Sequence, residues 1–290
     1  MLPNFLIVGA QKGGTTSLWS YLRQHPDIFM PKEKEINFFH SEYNFYERGF
    51  DWYESFFKGY EDEKAIGEAS PRYMLYEEVP KRIIKMNQDI KLIFILRNPV
   101  DRAYSHYWHS VREGNETLSF EEAIKKEEER IKKSDFAFRA YSYVTRGSYY
   151  KQINNFLRAF SKEQMLFLLT KELSENRFKL LKKIYNFLEV NSNFIPSNIN
   201  QKKNSSKIIR SVMLHKFIYS DYKLKKVIKN LIPKKLRKKI IKIIKKTNVK
   251  SGNYPEMKPK TRKKLSKKFV TENKKLSKLL DKDLTHWNYN

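Results

Sequence analysis

The sequence predicts an α/β fold: a single domain over residues 1–290, with a central parallel sheet flanked by helices and a basic, helical C-terminal part. Two observations predict it. Short apolar runs typical of buried strands occur at residues 5–8, 91–96 and 165–169, and segments with helical periodicity separate them. Strands that alternate with helices form parallel sheets covered on both faces. In addition, 290 residues with 40% hydrophobic and 14% aromatic side chains can bury a large core.

Composition and charge limit the function classes. The chain carries 59 Lys and Arg against 32 Asp and Glu, a formal net charge of +27, which favours a polyanionic partner such as nucleic acid, an anionic membrane or an acidic polysaccharide. The alternative is a lysine-rich composition without a binding surface. The absence of cysteine excludes disulfides and cysteine-ligated zinc. The sequence shows neither a signal-peptide pattern nor a long apolar run, so we expect a cytoplasmic, soluble protein.

The first strand leads into a glycine-rich turn. Gly9, Gly13 and Gly14 follow the apolar run, and the next residues open a helix that we expect to reach about His25. A strand, a glycine turn and a helix N-terminus together form an anion site, because unpaired N–H groups and the helix dipole point at the ligand. The candidates for binding a phosphate-like group are Lys12, Gly13, Gly14, Thr15, Thr16 and Ser17.

The position of the lysine separates two classes of nucleotide loop. A Walker A loop has the pattern GxxxxGK[ST]. Gly9 and Gly14 have that spacing, but Thr15 occupies the lysine position and Lys12 lies inside the loop. The loop instead resembles the 5′-phosphosulfate loop of sulfotransferases that use 3′-phosphoadenosine 5′-phosphosulfate (PAPS). Another nucleotide, and a turn without a ligand, remain open at this point.

Residues 64–71 are predicted to form a strand that ends at a turn, with Glu68 near its carboxyl end. Ligands of open α/β sheets bind outside the carboxyl ends of the strands. A carboxylate at this place is a candidate general base, and the alternative is a carboxylate that caps the following segment. Before this strand lies an aromatic pattern typical of a helix packed on the core, formed by Tyr53, Phe56, Phe57 and Tyr60.

The strand at residues 91–96 is followed by a helix that is predicted over residues 100–112. Asn98 is suited to cap this helix, and proline is favoured at its first position. Arg97 at the strand end and Ser105 in the helix can converge on one phosphate, since arginine gives a charge-assisted contact and serine a hydroxyl donor.

The rest of the chain continues the alternation and then becomes strongly basic. A capping box of Ser119 and Glu122 begins a predicted helix over residues 118–133. Residues 223–250 contain no acidic residue and are predicted to form a basic amphipathic helix, which could lie on an anionic membrane, line an acceptor groove or be a solvated outer helix. The other predicted segments are helices to residue 160 and over 174–188, a loop over 191–206, a turn-rich segment over 250–257 and a helix over 261–280.

Several separated motifs resemble the PAPS-dependent sulfotransferases, and most of all the sulfotransferase domains of the heparan sulfate N-deacetylase/N-sulfotransferases and the 3-O-sulfotransferases. The sequence RNPVDRAYS fits the family's 3′-phosphate signature, and GAQKGGTTS fits its phosphosulfate loop. The resemblance implies the P-loop-like sulfotransferase fold in a bacterial-type member. The remaining matches are at residues 34–39, 46–53, 67–73, 146–149 and 250–255.

The resemblance implies roles for individual residues. Lys12 is implied to stabilise the leaving 5′-phosphate, Arg97 and Ser105 to bind the 3′-phosphate, and Glu68 to take the proton from the acceptor. Residues of the glycine loop are implied to hold the 5′-phosphate. Acceptor contacts are implied for Lys34, Arg72 and Tyr149. The loop implied to close over the cofactor consists of Lys250, Ser251, Gly252, Asn253 and Tyr254, and leads to the C-terminal helix.

The same resemblance implies the reaction. The sulfuryl group passes from PAPS to a hydroxyl or amine of a saccharide or glycolipid by in-line attack, 3′-phosphoadenosine 5′-phosphate (PAP) is the product, and no metal is needed. We expect no specific nucleic acid partner, but a peripheral contact with an anionic membrane. The chain departs from the family at Ala69, where a lysine often follows the glutamate, and this departure bears on how Glu68 is oriented and how the acceptor is held. His40, His106 and His109 are alternative bases, because other sulfotransferases use histidine. Alternatives to this function are a P-loop-like kinase and a basic polyanion-binding protein.

Overall fold

Five parallel strands form the central sheet of the protein, in a computed structural model that describes residues 1–200, 207–209, 249–252 and 254–288. Their order across the sheet is β2-β3-β1-β4-β5, so β1 lies in the middle. The strands are β1 (Phe5–Gly9), β2 (Ile28–Phe29), β3 (Ala65–Ala69), β4 (Lys91–Leu96) and β5 (Met165–Leu169).

Eleven helices are described along the chain. Those of the first half are α1 (Thr15–Leu22), α2 (Gly49–Glu54), α3 (Val79–Met86) and α4 (Pro99–Glu113). The shorter helices that follow are α5 (Phe120–Lys125), α6 (Glu127–Ile131) and α7 (Asp135–Tyr141). The last are α8 (Tyr149–Leu157), α9 (Thr170–Glu175), α10 (Arg177–Leu188) and α11 (Pro259–Leu280).

The chain divides into two compact units. Unit 1 comprises Met1–Arg102, Thr145–Gln201 and Lys263–Asn290, and contains the parallel sheet. Unit 2 comprises Ala103–Val144 and Lys202–Arg262. The prediction of a single domain over residues 1–290 stays a prediction.

The core of unit 1 is explained by strand alternation. Successive side chains of a strand point to opposite faces, so Ile93 and Ile95 of β4 join a cluster with leucines of α1 and α10. Phe94 points to the other face, where its ring meets Phe156 of α8 edge-on at 5.3 Å between centroids. All six residues of β4 except Lys91 are buried, as expected for a central strand of a parallel sheet.

Unit 2 is built around a buried carboxylate. Glu116 is 2% exposed and accepts hydrogen bonds from Arg130 at 2.7 Å and from the hydroxyl of Tyr143 at 2.8 Å. The unit also contains a short antiparallel ribbon of β6 (Lys207–Ile209) and β7 (Val249–Ser251).

Comparison with the sequence predictions confirms the α/β class, the parallel sheet and its flanking helices. The strands at residues 91–96 and 165–169 have the predicted limits. The Ser119–Glu122 capping box is present, but the helix predicted over 118–133 is wrong, because it is divided at Lys126. The helix predicted over 174–188 also begins at a new cap, where the Asn176 side chain accepts a hydrogen bond from the N–H of Lys179.

Three further expectations need correction. Pro26 and Pro31 predict an extended break between them, and this segment contains the edge strand β2. The aromatic helix predicted over 53–60 is wrong, because α2 ends at Glu54 and only a 3₁₀ turn over Ser55–Phe57 follows it. The turn-rich segment that was expected from residue 250 begins as strand β7. The basic helix predicted over 223–250 lies almost entirely outside the described residues. Within the described part of the chain, no helix has the length and apolar character needed to cross a membrane.

Candidate active site

The carboxyl edge of the parallel sheet collects the polar residues that the sequence singled out. β1 lies between β3 and β4, and the chain crosses from one side of β1 to the other between those two strands. This strand order creates a topological switch point, where open α/β sheets bind their ligands. Leu6 of β1 pairs with Glu68 of β3, so the loop after β1 and the end of β3 are neighbours.

The loop after β1 can be formed only with glycine at two places. A Cβ atom on Gly13 would lie 2.2 Å from the backbone oxygen of Ile95, so no other residue fits without moving β4. Gly14 has a φ of 116°, a backbone conformation that residues with a Cβ rarely adopt. The loop is further held by Thr170, whose hydroxyl donates to the backbone oxygen of Gly13.

Helix α1 starts directly after this loop at Thr15, and its first N–H groups have no intrahelical acceptor. Thr15 and Ser17 are buried and Thr16 is exposed. Lys12 belongs to the same turn and has a φ of 70°. The loop therefore brings backbone donors, hydroxyl groups and a lysine residue together at the end of β1, and this arrangement can hold an anion.

Arg97 reaches the same place from the end of β4. Its guanidinium Nη1 lies 3.5 Å from the backbone oxygen of Lys12, at the limit of hydrogen bonding. The backbone oxygen of Arg97 accepts a hydrogen bond from the hydroxyl of Tyr149 at 2.9 Å. The structure thus places a second positive charge beside the glycine loop.

The other predicted cofactor residues belong to unit 2. Ser105 is 5% exposed and lies on α4. Lys250 and Ser251 lie in β7, Gly252 follows it, and Asn253 lies outside the described residues. The ring of Tyr254 stacks on Trp108 with 5.6 Å between centroids.

Glu68 is fully buried among hydroxyl groups. Its Oε1 accepts hydrogen bonds from Tyr73 at 2.6 Å and from Tyr53 at 3.1 Å, and its Oε2 accepts one from Ser70 at 2.7 Å. Burial raises the pKa of the Glu68 carboxyl, whereas the three hydroxyl donors and the positive charge of Lys34 lower the pKa by a smaller amount. The site therefore holds an acid whose pKa is raised above the ordinary value and whose orientation is fixed.

Two of these hydroxyls also connect Glu68 to the segment that follows Lys34. The Tyr73 hydroxyl accepts a hydrogen bond from the N–H of Phe38 at 2.9 Å, and the Ser70 hydroxyl accepts one from the N–H of Asn37 at 3.0 Å. Since each hydroxyl accepts from a backbone N–H, its own proton is directed to the carboxylate. Aromatic rings complete the surroundings, and Phe38 stacks on Tyr53 with 4.4 Å between centroids.

The residues predicted to contact the acceptor have partners within unit 1. Lys34 forms an ion pair with Glu35 at 2.7 Å. Arg72 is buried and forms an ion pair with Glu42 at 2.8 Å. Tyr149 is buried behind Arg97, and burial raises the pKa of its hydroxyl to about 12.

The three histidines considered as alternative bases occupy different surroundings. His40 is buried and stacks on Tyr76 with 4.7 Å between ring centroids. His106 is buried and meets the ring of Tyr143 at 5.0 Å, and the partly exposed His109 has its Nδ1 3.9 Å from Glu113. Among the residues that the structure describes, no three His, Asp or Glu side chains are grouped so that they could hold a metal ion.

Two buried arginines near the glycine loop were not predicted as site residues. Arg102 and Arg146 line a small cavity together with Gln11, and the Gln11 side-chain oxygen accepts a hydrogen bond from Arg146. Burial, followed by the charge of Arg102, lowers the pKa of the Arg146 guanidinium to about 9. The sequence offered a signal, since both arginines lie within the motifs at 97–105 and 146–149, but their convergence depends on the fold.

Comparison with known proteins gives a consistent result. A family model described as a sulfotransferase domain matches residues 2–279. The crystal structure of a sulfotransferase from Alicyclobacillus acidocaldarius is 30% identical, covers 99% of each chain and has a TM-score of 0.73. This likeness confirms the predicted sulfotransferase fold.

Curated relatives match over shorter stretches. Heparan sulfate glucosamine 3-O-sulfotransferase 3B1 of Homo sapiens is 32% identical over 187 residues, which are 64% of this chain and 46% of that protein. The membrane-associated sulfotransferase kil1 of Dictyostelium discoideum is 37% identical over 111 residues, 38% of this chain and 24% of that protein. The matched stretch thus spans a quarter to about half of the length of these relatives.

Proposed function

The chain belongs to the sulfotransferase family, and we propose on this basis that it transfers the sulfuryl group of PAPS to a hydroxyl or amine of a saccharide or glycolipid. The observation that carries the proposal is the arrangement of two neighbouring strands. A glycine loop that leads into a helix N-terminus follows β1, and a buried, oriented carboxylate lies at the end of β3. The transfer requires a binding site for the donor of the sulfuryl group and a base that accepts a proton from the acceptor.

The residues of the loop fit a phosphosulfate group. The absence of a Cβ on Gly13 lets the loop pack against the backbone of β4, and Gly14 takes a positive φ just before the helix N-terminus. PAPS, when bound, supplies an activated sulfuryl group and departs as PAP. We assign the 5′-phosphosulfate to Lys12, Gly13, Gly14, Thr15, Thr16 and Ser17, and the 3′-phosphate to Arg97 and Ser105, with residues 250–254 as the closing loop.

The charges of Lys12 and Arg97 are suited to the leaving group. Sulfuryl transfer resembles phosphoryl transfer, whose transition state is loose and spreads negative charge over the departing oxygens. Preorganised cations at these oxygens stabilise the transition state more than the ground state. The Lys12 ammonium at the turn is therefore assigned to the bridging oxygen.

Glu68 is assigned as the general base. A carboxyl whose pKa is raised by burial accepts a proton more readily than an exposed one. The longest of its three hydrogen bonds is the one from Tyr53, at 3.1 Å. In this proposal the acceptor hydroxyl or amine replaces Tyr53 at Oε1 and gives its proton to Glu68 as it attacks sulfur.

The acceptor class follows from charge and from the relatives. The name of the matched human relative contains heparan sulfate, which is acidic because of its sulfate groups, and the net charge of +27 of this chain favours an anionic acceptor. Lys34, Arg72 and Tyr149 are the residues assigned to acceptor contacts. Peripheral contact with an anionic membrane remains part of the proposal, and specific nucleic acid binding does not.

A transfer assay tests the proposal. The purified full chain is incubated with ³⁵S-labelled PAPS and a panel of acidic saccharides and glycolipids, and label in the acceptor is counted. Glu68→Gln should lower kcat by on the order of 10²–10⁴, the usual contribution of a general base, with little change in PAP affinity.

The control is Glu128→Gln, a change at an exposed carboxylate that should leave kcat unchanged. Full activity of Glu68→Gln would remove the carboxylate from the mechanism. Absence of transfer by the wild type to every acceptor of the panel would contradict the saccharide or glycolipid assignment.

A further inference from the structure

The C-terminal helix α11 presents one uniformly charged face. Within unit 1, its residues Leu265, Phe269, Leu276 and Leu280 are at most 6% exposed and pack into the core. The residues that point to solvent include seven lysines, which we call the lysine face: Lys263, Lys264, Lys267, Lys268, Lys274, Lys275 and Lys278.

Helical geometry makes the lysine face a continuous strip. With about 100° between successive residues, the seven lysines fall within an arc of about 140°. From the first to the last of them the helix axis extends over about 22 Å, at 1.5 Å per residue. Glu272 is the only acidic residue between Lys263 and Leu280, and it is partly buried.

The lysine face differs from the exposed lysines of α6 in its ion pairs. On α6, Lys132 pairs with Glu128 and Lys133 pairs with Glu129, each one helical turn apart. In contrast, no lysine of the lysine face forms an ion pair with any residue that the structure describes. Lys275 lies over the ring of Tyr150 at 5.6 Å.

This arrangement is unfavourable for an isolated helix. Like charges four residues apart repel each other, and the lysine face contains three such pairs, Lys263 with Lys267, Lys264 with Lys268, and Lys274 with Lys278. An anionic partner along the strip would relieve this repulsion.

The chemistry of the strip favours a lipid surface over a saccharide. An exposed helix face is convex and offers no cleft of the kind that encloses a small ligand. All seven residues are lysine, which acts as a point charge, and none is arginine, which recognises sulfate and carboxylate groups by paired hydrogen bonds. The apolar side of α11 packs against the core of unit 1, so no apolar side chain of that side can insert into a bilayer. The contact would therefore be electrostatic.

We propose that the lysine face of α11 docks the protein onto an anionic lipid membrane. Each lysine near such a surface contributes to binding, and the contribution decreases with salt within a Debye length. This inference rests on the membrane contact in the proposed function and assigns that contact to one surface, and it can fail without affecting the sulfuryl transfer, because docking requires no turnover.

Vesicle co-sedimentation with the purified full chain tests the docking. Vesicles of phosphatidylcholine with about 30% phosphatidylserine are compared with vesicles of phosphatidylcholine alone. The test variant combines Lys263→Gln, Lys267→Gln, Lys274→Gln and Lys278→Gln. The control variant combines Lys58→Gln, Lys162→Gln, Lys179→Gln and Lys182→Gln, four exposed lysines outside α11, so both variants lose the same charge.

We expect the wild type to bind only the anionic vesicles, and the test variant to bind them at least about tenfold more weakly. The control variant should bind within about threefold of the wild type, and about 0.5 M salt should abolish binding. Thermal unfolding of both variants checks that they fold.

Equal weakening in the two variants would overturn the proposal, because net charge alone would then explain binding. It would also be overturned if the test variant lost affinity for soluble heparin but kept its affinity for vesicles, since the partner would then be a polysaccharide.

Discussion

The segments that follow β1 and β3 are built in opposite ways, although their strands are neighbours. In the segment after β1 the backbone determines the structure, and the shape of the loop depends on the absence of side chains at Gly13 and Gly14. Around the end of β3 the side chains determine the structure, because three hydroxyl groups donate hydrogen bonds to the carboxylate of Glu68.

The two segments also differ in whether the residues that form them are consecutive or distant in the sequence. The glycine loop is encoded in consecutive residues, whereas the surroundings of Glu68 come from α2, from the segment after Lys34 and from the turn at Ser70. Substitutions in the loop should therefore affect folding and anion binding. Substitutions around Glu68 should affect the pKa of its carboxyl and the value of kcat.

The largest effect is expected for Gly13→Ala. The added Cβ would lie 2.2 Å from the backbone oxygen of Ile95, and backbone cannot yield as a flexible side chain does. We expect the free energy of unfolding to fall by about 3 kcal/mol, and PAP binding to be lost, as measured by urea denaturation and calorimetry.

Gly59→Ala is the matched control, because its Cβ would meet the ring of Phe29 at an ordinary 3.4 Å. A Gly13→Ala protein as stable as Gly59→Ala would show that the loop does not require glycine there.

A smaller effect is expected for Tyr73→Phe, which tests the surroundings of Glu68. The Tyr73 hydroxyl lowers the pKa of the Glu68 carboxyl, so its removal should raise that pKa. The acid limb of the pH profile of kcat/KM should then move to higher pH, and kcat should fall by about tenfold as the base loses its orientation.

Tyr185→Phe is the control for this change, because the buried Tyr185 hydroxyl has no hydrogen-bond partner among the described residues. The acid limb of Tyr73→Phe could instead stay in place, or it could move equally in both variants. Either result would show that the Tyr73 hydroxyl does not set the pKa of the base.

The smallest effect concerns the pH dependence of stability. Because the pKa of Glu68 is raised in the folded state, its carboxyl favours folding below its unfolded pKa, about 4.3, and this contribution is lost as pH rises through the folded pKa. Between pH 4 and pH 7, Glu68→Gln should therefore gain stability relative to the wild type, by about 1.4 kcal/mol for each unit of the pKa shift.

Urea denaturation at the two pH values measures this gain. The exposed Glu61→Gln variant serves as the reference, and its stability difference from the wild type should be independent of pH. A constant difference for Glu68→Gln would mean that burial does not raise the pKa of Glu68.

The sequence predicted best those features that are encoded locally. The limits of β4 and β5 were correct because both strands are continuous apolar runs in the centre or at the side of the sheet. The two-residue strand β2 was missed because it is defined by pairing with β3 and not by its own residues. In the same way, the Ser119 cap was predicted, but the new helix start at Asn176 was not.

The candidate site shows the same limit. The glycine loop and Arg97 follow from motifs, but nothing in the sequence near Glu68 indicates that Tyr53, fifteen residues earlier, donates to its carboxylate. The meeting of Arg102, Arg146 and Gln11 likewise depends on how distant segments fold together. Burial and the identity of the hydrogen-bond partners set the pKa of a side chain. The pKa shifts at this site therefore could not be assigned before the fold was known.

Calorimetric titration with PAP and with ADP, which lacks the 3′-phosphate, tests the central claim most directly. Our account predicts that the wild type binds PAP more tightly than ADP, and that Arg97→Ala weakens PAP binding by roughly 2–4 kcal/mol and removes the preference, because a charge-assisted contact is lost. Arg158→Ala, at an exposed arginine, should bind both ligands as the wild type does. Equal affinity of the wild type for PAP and ADP would contradict the account, since a site for the 3′-phosphate would then not exist.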